Sequence, residues 1–368
     1  PVGIAYADLA GVPAVIGMYS AIFPLLAYAL FGSSRQLMTG PDAATCIIVA
    51  ASLGPLAGGD PERYLALMVV LTLMTGILFV AAGFLRLGFI ANFLSQPILT
   101  GYLNGIALII IAGQLQKLFG YSGEAEEFFP KLAEFIDKLD QTHFPTLLLG
   151  LGLLTALIIL RRIAPKLPAA LVVVVAGITA VATLGLDQNG VAVLGSVPAG
   201  LPSLHIAAFE PGAFRTLFGD AAGIALVSFT SGVLTAKSFA RRNRYEIDAN
   251  QELVAFGTCN IASGLAQGFP VTGADSRTAV NNAMGGKTQL VGIVAAGSML
   301  LILFFLTEPL GYVPTAALAA VIMVSAVGLF DFKELLSLYE ISHRELALSV
   351  GTTLGVLTVS YTHLRAHE

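Results

Sequence analysis

Two short segments of the sequence place polar residues at the start of a helix within otherwise apolar stretches. Residues 39–45 read TGPDAAT and residues 272–278 read TGADSRT, so the two share Thr, Gly, Asp and Thr at the same spacing. In each segment Gly or Pro interrupts the chain, and Asp42 or Asp275 then stands at the N-cap position of a helix. The first N–H groups of a helix are unpaired and carry the positive end of its dipole. This is the chemistry of an anion site.

Arg277 is the residue of these segments that most strongly suggests a ligand. A guanidinium inside an apolar segment is costly unless it faces a cavity or a partner of opposite charge. We predict that a bound anion balances the charge of Arg277. The alternative is an ion pair with Asp275 or Asp42, which would stabilise the two helix starts without contacting solute.

Asp42 and Asp275 need a role other than attraction, because an ionised carboxylate repels an anion. Capping its own helix is sufficient for each, and this is the role that we predict. The alternative is that one of them binds a proton, since burial disfavours the charged form and a neutral carboxyl would let an anion enter together with a proton. Asp8, in the segment 1–9, either lines the same cavity or faces water. Asp8, Asp42 and Asp275 are thus the candidate coupling residues.

Composition indicates the elements that must position these residues. Of the 368 residues 56% are hydrophobic and 11% are charged, which is far from an ordinary soluble domain. Apolar runs of roughly 20 residues, enough to cross a bilayer as a helix, recur throughout. We therefore predict an all-α polytopic membrane protein, with the long stretch 89–119 tilted or broken at Pro97 or Gly101. Its thirteen apolar segments are 1–9 (partial), 13–31, 42–58, 64–85, 89–119, 144–160, 167–186, 219–240, 249–266, 275–285, 288–307, 312–330 and 344–359.

The order of the segments predicts how the two helix starts meet. Basic residues such as Arg35, Arg86, Arg161, Arg241 and Lys287 stand in every second connection, which places those connections in the cytoplasm. The third and tenth segments are seven spans apart and therefore run in opposite directions, so their amino ends can converge as in inverted-repeat transporters.

One connection on the opposite side of the membrane carries a further helical pattern. Residues 124–141 place phenylalanine and leucine at helical spacing, which fits either an interfacial helix or a plain connecting helix.

Several classes of function are disfavoured by the sequence. A net charge of −4, with Lys and Arg scattered through short polar breaks, does not indicate a nucleic-acid surface. Cys46 and Cys259 lie in separate apolar segments, so neither a disulfide framework nor a thiolate metal site is expected. His143 and His205 have no partner at ligand spacing, so we expect no metal, no cofactor and no enzyme activity.

Longer stretches of the chain resemble the sulfate permease family, also called solute carrier family twenty-six, and a bacterial member of it in particular. The resemblance begins with PVGIAYADLAGVPAVIGMYSAIFPLLAYALFGSSRQLMTGPDAAT at residues 1–45. It continues in order with FLSQPILTGYLNGIALIIIAGQLQKLFG, with Asn250, Gln251, Glu252 and Leu253 followed by Gly257 and Asn260, with GFPVTGADSR, and with GGKTQ at residues 285–289.

The resemblance implies a seven-plus-seven inverted-repeat transporter fold, truncated here to about thirteen segments within the transmembrane transport domain 1–359. The implied core domain is 1–87 and 219–308, and the implied gate domain is 88–186 and 309–359. We expect the start of the first helix, the last helix and a following STAS domain to be missing, and 360–368 (SYTHLRAHE) to be a non-native tail. The full-length protein is expected to be a homodimer in the plasma (inner) membrane.

The resemblance also implies which residues bind the substrate. In the family the anion lies between the amino ends of the third and tenth helices, with help from the first. Tyr6 and Ile4 are the candidates in the first segment, where Val2 replaces the usual Gln. The other positions are Asp42, Ala43, Ala44 and Thr45 in the third segment and Asp275, Ser276, Arg277 and Thr278 in the tenth.

The function implied is secondary active transport of a small inorganic oxyanion, foremost sulfate, by alternating access with exchange or proton coupling. Several bacterial members of the family, including sodium-coupled bicarbonate and proton-coupled dicarboxylate carriers, have an acidic residue in the eighth helix where Ser231 stands here. Without that carboxylate, sodium coupling is disfavoured. The alternatives are a bicarbonate or dicarboxylate carrier, or an anion channel of the same fold. The partners expected are the anion and the lipid bilayer, with no nucleic acid.

Overall fold

Helices form along almost the whole described chain, because a backbone in lipid must pair its polar groups within its own segment. The computed structural model describes residues 2–92, 96–121, 123, 125, 128–164, 167–202, 211–328, 330 and 332–358. His205 and the predicted tail 360–368 lie outside these residues.

Within the described residues the chain forms sixteen α-helices and one two-stranded sheet. The strands are β1, Thr39–Gly40, and β2, Thr272–Gly273. The helices are α1 Val2–Leu9, α2 Ala14–Phe31, α3 Ala43–Ala57, α4 Pro61–Phe84, α5 Gln96–Phe119, α6 Phe128–Asp137, α7 Phe144–Ile163, α8 Ala169–Leu184, α9 Pro211–Arg242, α10 Ala249–Leu265, α11 Asp275–Ala283, α12 Leu290–Phe305, α13 Thr307–Leu310, α14 Thr315–Val327, α15 Phe332–Ile341 and α16 His343–Thr358.

Each of the thirteen predicted apolar segments contains one of these helices. In the part of the chain that the structure describes, five helices are long and apolar enough to cross a membrane: 14–31, 61–84, 100–119, 144–163 and 212–242. Helix α5 passes through Gly101 without a break and begins just before Pro97, so neither residue breaks it, and the predicted alternative of a tilt stays a prediction. A 3₁₀ helix covers Leu87–Asn92 and α5 runs unbroken from Gln96, with Pro97 in its first turn, where a missing N–H costs nothing.

Several elements were missed or shortened by the sequence analysis. Helix α9 extends eight residues before the predicted start at 219, because Gly212–Phe218 is amphipathic rather than wholly apolar. Helices α13 and α15 and the sheet were not predicted. Residues 124–141 do contain a helix, α6, whose Phe129 and Ile136 side chains are exposed. The interfacial role and the connecting role of α6 both stay predictions.

The chain divides into two compact units. The first comprises Tyr6–Phe93 and Pro198–Thr307, and the second comprises Pro1–Ala5, Leu94–Val197 and Glu308–Glu368. The core and gate roles that the family resemblance implies for such ranges stay predictions.

The first unit contains a dense core in which α4 packs on α10. Tyr28, Phe79 and Phe256 are buried there, and the centroid of the Phe256 ring lies 6.1 Å from that of Tyr28 and 6.0 Å from that of Phe79. A Cβ added at Gly257 of α10 would lie 2.9 Å from the Gly76 carbonyl oxygen of α4. The two helix backbones therefore approach each other through glycines, which is how helices pack closely in lipid.

The second unit is held by a similar close approach between α5 and α16. A Cβ added at Gly101 of α5 would collide with the backbone carbonyl oxygen of Ser349 in α16. The Thr353 hydroxyl donates to the Gly101 carbonyl oxygen at 2.9 Å. Small residues at this crossing thus let a hydroxyl reach a helix carbonyl.

Candidate anion site

The two polar segments found in the sequence are joined by the sheet. Strand β1 pairs antiparallel with β2, with Thr39 opposite Gly273 and Gly40 opposite Thr272. The Ala274 N–H extends the pairing by donating to the Met38 carbonyl oxygen at 2.9 Å. Each strand leads into a helix, and the sheet is only two residues long, so the amino ends of α3 and α11 lie close together at its two ends. The predicted convergence is confirmed.

Helices α3 and α11 are both too short to cross the hydrocarbon core of a bilayer on their own. Helix α11 has nine residues, so its length is roughly 14 Å, about half the thickness of the hydrocarbon core of a bilayer. Helix α3 has fifteen residues and a length of roughly 22 Å. We call both of them half-helices, because each is shorter than a full crossing and is preceded by extended backbone. The sheet supplies the hydrogen-bond partners that this extended backbone needs.

Asp42 caps α3 as predicted. Its backbone is extended, at φ −133° and ψ 145°, and its carboxylate accepts a hydrogen bond from the Ala44 N–H at 3.1 Å. The Asp42 carbonyl oxygen accepts the first helical bond, from the Cys46 N–H at 3.0 Å. Asp42 therefore stabilises the positive end of α3 and satisfies one of its free donors.

The prediction that Asp275 is an N-cap is wrong. The cap of α11 is Ala274, which makes no side-chain capping bond, and Asp275 is the first helical residue. The reason is that β2 carries extended backbone as far as Ala274, whose φ is −104° and ψ is 116°. The Asp275 carboxylate instead accepts a short hydrogen bond from the Thr235 hydroxyl of α9.

Arg277 joins the two half-helices. Its Nη2 donates to the Pro41 carbonyl oxygen at 2.6 Å, and its guanidinium lies over Gly40. Among the residues that the structure describes, no ion pair within 4.0 Å joins Arg277 to Asp42 or Asp275. A carbonyl oxygen carries no net charge, so the contact with Pro41 does not balance the guanidinium, and neither Asp42 nor Asp275 pairs with it directly.

The remaining predicted residues occupy different surroundings. Tyr6 is buried in α1. Ala43, Ala44 and Thr45 are buried in the first turn of α3. Asp8 lies one residue before the end of α1 and is half-buried.

The hydroxyls of the predicted residues are bonded within the protein. Thr45 Oγ1 lies 3.4 Å from Ser228 Oγ of α9. Thr278 Oγ1 accepts from the Met38 N–H at 3.0 Å and donates to the Ala274 carbonyl oxygen at 2.7 Å. Ser276 is in the first turn of α11, and its side chain lies outside the described part of the structure. The substrate contacts predicted for all these residues stay predictions.

The sequence analysis missed the contribution of α9 to this region. Ser228, Gly232 and Thr235 lie at helical spacing, and each contacts one of the two segments. The Thr272 hydroxyl donates to the Ser228 carbonyl oxygen at 2.6 Å, and a Cβ added at Gly273 would lie 3.1 Å from the Gly232 Cα. The signal was available as a stripe of small and hydroxylic residues along one face of a membrane helix.

This geometry is chemically suited to a small anion. Two helix amino ends and one guanidinium meet at one place, and together they offer N–H donors and positive charge to an oxyanion. In the described part of the chain, no group of three or more His, Cys, Asp or Glu side chains is arranged to hold a metal ion.

Comparison with known sequences gives consistent matches. The profile described as the sulfate permease family matches residues 1–352. A probable sulfate transporter of Mycobacterium tuberculosis (strain CDC 1551 / Oshkosh) is 43% identical over 97% of this chain and 64% of its own length. The chloroplastic sulfate transporter 4.1 of Arabidopsis thaliana is 33% identical over 95% of this chain and 52% of its own length. The chain thus spans less than two thirds of the length of these relatives.

Solved structures match the fold. Murine solute carrier 26 family member A9, an anion transporter in its inward-facing state, matches with a TM-score of 0.91 at 22% identity, over 99% of this chain and 64% of that one. The transmembrane domain of a cyanobacterium bicarbonate transporter, BicA, matches with a TM-score of 0.87 at 24% identity, over 98% of this chain and 92% of that one. The predicted membrane transporter fold is thereby confirmed.

Proposed function

This chain belongs to the sulfate permease family, and on that premise we propose that the protein containing it is a secondary active transporter of a small inorganic oxyanion. The anion binds between the amino ends of α3 and α11 and crosses the membrane by alternating access, without covalent chemistry. Sulfate is the foremost substrate, because the relatives with 43% and 33% identity bear the name of sulfate transporters.

The observation that carries this proposal is the meeting of the two half-helices at Arg277. The guanidinium holds the Pro41 carbonyl oxygen of the opposite half and has no carboxylate of Asp42 or Asp275 within 4.0 Å among the described residues. A guanidinium is a rigid fork of N–H donors that matches the oxygens of sulfate, and its remaining donors are suited to the substrate. The anion then supplies the missing negative charge.

The remaining roles follow from this position. Tyr6, Asp42, Ala43, Ala44, Thr45, Asp275, Ser276 and Thr278 line the anion site with Arg277. Asp8, Asp42 and Asp275 are the candidates for proton coupling. The first unit carries the site as the core domain and the second unit is the gate domain. The full-length protein works as a homodimer in the plasma membrane.

The experiment that tests the site is uptake of labelled sulfate into proteoliposomes by the full-length protein and its Arg277→Ala variant. We expect Arg277→Ala to abolish uptake, because both the charge and the fork of donors are lost. Arg277→Lys keeps the charge without the fork and should retain a small fraction of the rate. Arg161→Ala, at the exposed end of α7, is the matched control and should transport normally.

Folding is checked by thermal unfolding and size-exclusion chromatography of each variant. If a folded Arg277→Ala variant takes up sulfate at the wild-type rate, Arg277 is not part of the anion site and the site assignment is wrong. Competition by unlabelled bicarbonate or dicarboxylate that exceeds competition by sulfate would replace the proposed substrate and leave the site in place. Unitary currents in a planar bilayer would identify a channel.

A further inference from the structure

The segment between α2 and β1 is bonded to its surroundings along its length. We call residues 33–38 the strap, because they lead from the end of α2 into β1 and so into the anion site. The strap accepts and donates hydrogen bonds with side chains from three later parts of the chain: Glu252 of α10, Tyr245 before it, and Asn281 and Gln289 after β2.

Glu252 holds the first two residues of the strap. Its Oε1 accepts from the Ser33 N–H at 2.9 Å, from the Ser33 hydroxyl at 2.6 Å and from the Ser34 N–H at 3.2 Å. Its Oε2 accepts from the Tyr28 hydroxyl at 2.7 Å. The Glu252 side chain is 0% exposed, and it is placed in the first turn of α10, where the helix dipole favours a negative charge.

A buried carboxylate is costly unless hydrogen bonds replace its water. Among the described residues no Lys or Arg lies within 4.0 Å of Glu252, so donors of Tyr28, Ser33 and Ser34 replace that water. Two of these donors are backbone N–H groups of the strap. The need to satisfy the carboxylate therefore fixes the backbone of the strap at this end.

The far end of the strap is bonded to α11 and to Gln289, the residue directly before α12. Gln289 Nε2 donates to the Leu37 carbonyl oxygen at 2.9 Å, and Asn281 Nδ2 donates to the Gln36 carbonyl oxygen at 2.8 Å. The Met38 N–H then donates to Thr278 Oγ1 at 3.0 Å, directly before β1. A displacement of the strap therefore displaces β1 on β2 and, three residues on, the Pro41 carbonyl oxygen that holds Arg277.

Helix α10 holds the chain before the second half-helix as well. Asn260 Oδ1 accepts from the Val271 N–H at 2.9 Å, and its Nδ2 donates to the Val271 carbonyl oxygen at 3.0 Å. Asn260 is 0% exposed. It binds Val271, the residue directly before β2, as Glu252 binds Ser33 and Ser34 of the strap that leads into β1. One helix therefore fixes both strands of the sheet, with a carboxylate at one end and an amide two turns later.

We propose that Glu252 and Asn260 are positioning residues of the anion site, which set the register of β1 on β2 and thereby the place of Arg277. Neither residue contacts the substrate. This inference rests on the proposed function, because its first measurement is the KM of sulfate uptake.

The test compares Glu252→Ala and Asn260→Ala with Asp248→Ala in the full-length protein. Asp248 caps the same helix, with Oδ1 accepting from the Asn250 and Gln251 N–H groups, and does not touch the strap. We expect Glu252→Ala and Asn260→Ala to raise the KM for sulfate by about tenfold, since each leaves buried backbone groups unpaired. Asp248→Ala should change the KM by less than about twofold at a comparable loss of thermal stability.

Glu252→Gln is the conservative variant. Its amide oxygen can accept the same three bonds from Ser33 and Ser34, so the KM should return to within about threefold of the wild type. A merely structural role would lower the amount of folded protein and leave the KM of the remainder unchanged.

Hydrogen–deuterium exchange gives a readout that does not depend on transport. The amides of residues 33–38 should exchange faster in Glu252→Ala than in Asp248→Ala. Equal KM values and equal exchange in these two variants would overturn the proposal.

Absence of sulfate uptake by the wild type would refute the proposed function, while the exchange comparison still decides whether Glu252 holds the strap. Should Glu252→Ala not fold, Tyr28→Phe combined with Ser33→Ala removes two donors of the same carboxylate and is judged by the same criteria.

Discussion

Gly40 and Arg277 show how closely the backbone and the charge of the site approach each other. The φ of Gly40 is 143°, a conformation that residues with a side chain rarely adopt. A Cβ added there would lie 3.0 Å from Nη1 of Arg277. Glycine at this position thus permits the backbone conformation and leaves room for the guanidinium.

We therefore predict that Gly40→Ala impairs transport more than stability. The strained backbone should cost about 1–3 kcal/mol of folding free energy. The added methyl group should also displace the guanidinium and raise the KM for sulfate. Gly54→Ala is the matched control in α3, where nothing lies within 4 Å of the added Cβ and alanine favours the helix. A Gly40→Ala variant with the KM of Gly54→Ala would contradict this account.

At the residue scale, the sequence located the two helix starts better than it assigned the role of each side chain. The repeated Thr-Gly-x-Asp pattern located both half-helices, and the cap at Asp42 is confirmed. The same pattern failed at Asp275, because the pairing of β2 extends the strand by one residue and turns the carboxylate toward Thr235. Strand pairing between residues so far apart leaves no local signal in the sequence.

The crossing of α4 and α10 is the element on which the first unit depends. A Cβ at Gly257 would lie 2.9 Å from both the Gly76 carbonyl oxygen and the Val80 nitrogen. Both neighbours are backbone atoms and cannot rotate away. Close packing here also fixes α10, which carries Glu252 and Asn260.

Gly257→Val should therefore push α4 and α10 apart. Overpacking of this kind costs about 1–3 kcal/mol, and more where backbone must move. We expect a lower midpoint of thermal unfolding and less monodisperse protein in detergent. Gly297→Val, on an exposed face of α12 with nothing within 4 Å, provides the comparison. If both variants unfold at the same temperature, the close approach of the two helices is not important for stability.

Mean hydropathy was sufficient to find the long apolar helices in the sequence, but it did not find the amphipathic ones. All thirteen predicted segments contain helices, since an apolar run in lipid has no other way to pair its backbone. Helix α15 was missed because FKELLSLYEI alternates charged and apolar residues, and the first turns of α9 were missed because Arg215 interrupts the run. These features need helical periodicity rather than mean hydropathy to be found.

At the scale of the whole molecule, one residue of α9 leads us to expect that transport is not coupled to sodium. Ser231 lies half-buried on α9, where its neutral hydroxyl lacks the charge of a carboxylate ligand for sodium. Its carbonyl oxygen accepts from the Thr235 hydroxyl at 2.9 Å. Residues 221–242 of α9 include no Asp or Glu, and the acidic side chain bonded to Thr235 is Asp275 of α11.

Sulfate uptake by the full-length protein should be unchanged, within about twofold, when external sodium is replaced by potassium, since coordination of a hard cation needs charged oxygen ligands. Uptake should instead require an exchangeable anion inside the proteoliposomes or a proton gradient that is acid outside. Both are measured with labelled sulfate under defined ionic gradients. Strict dependence on sodium would refute this expectation and point to other ligands for the ion.

The pairing of β1 with β2 also has a consequence for the order in which the protein is made. Pro41 and Arg277 lie 236 residues apart, so the first half-helix leaves the ribosome long before its partner exists. Until then the backbone of β1 must remain hydrated, be shielded by the translocon, or pair elsewhere. Completion of the sheet is thus a late step of biogenesis, and a nascent chain stopped before residue 272 should still expose this backbone to proteases or exchange.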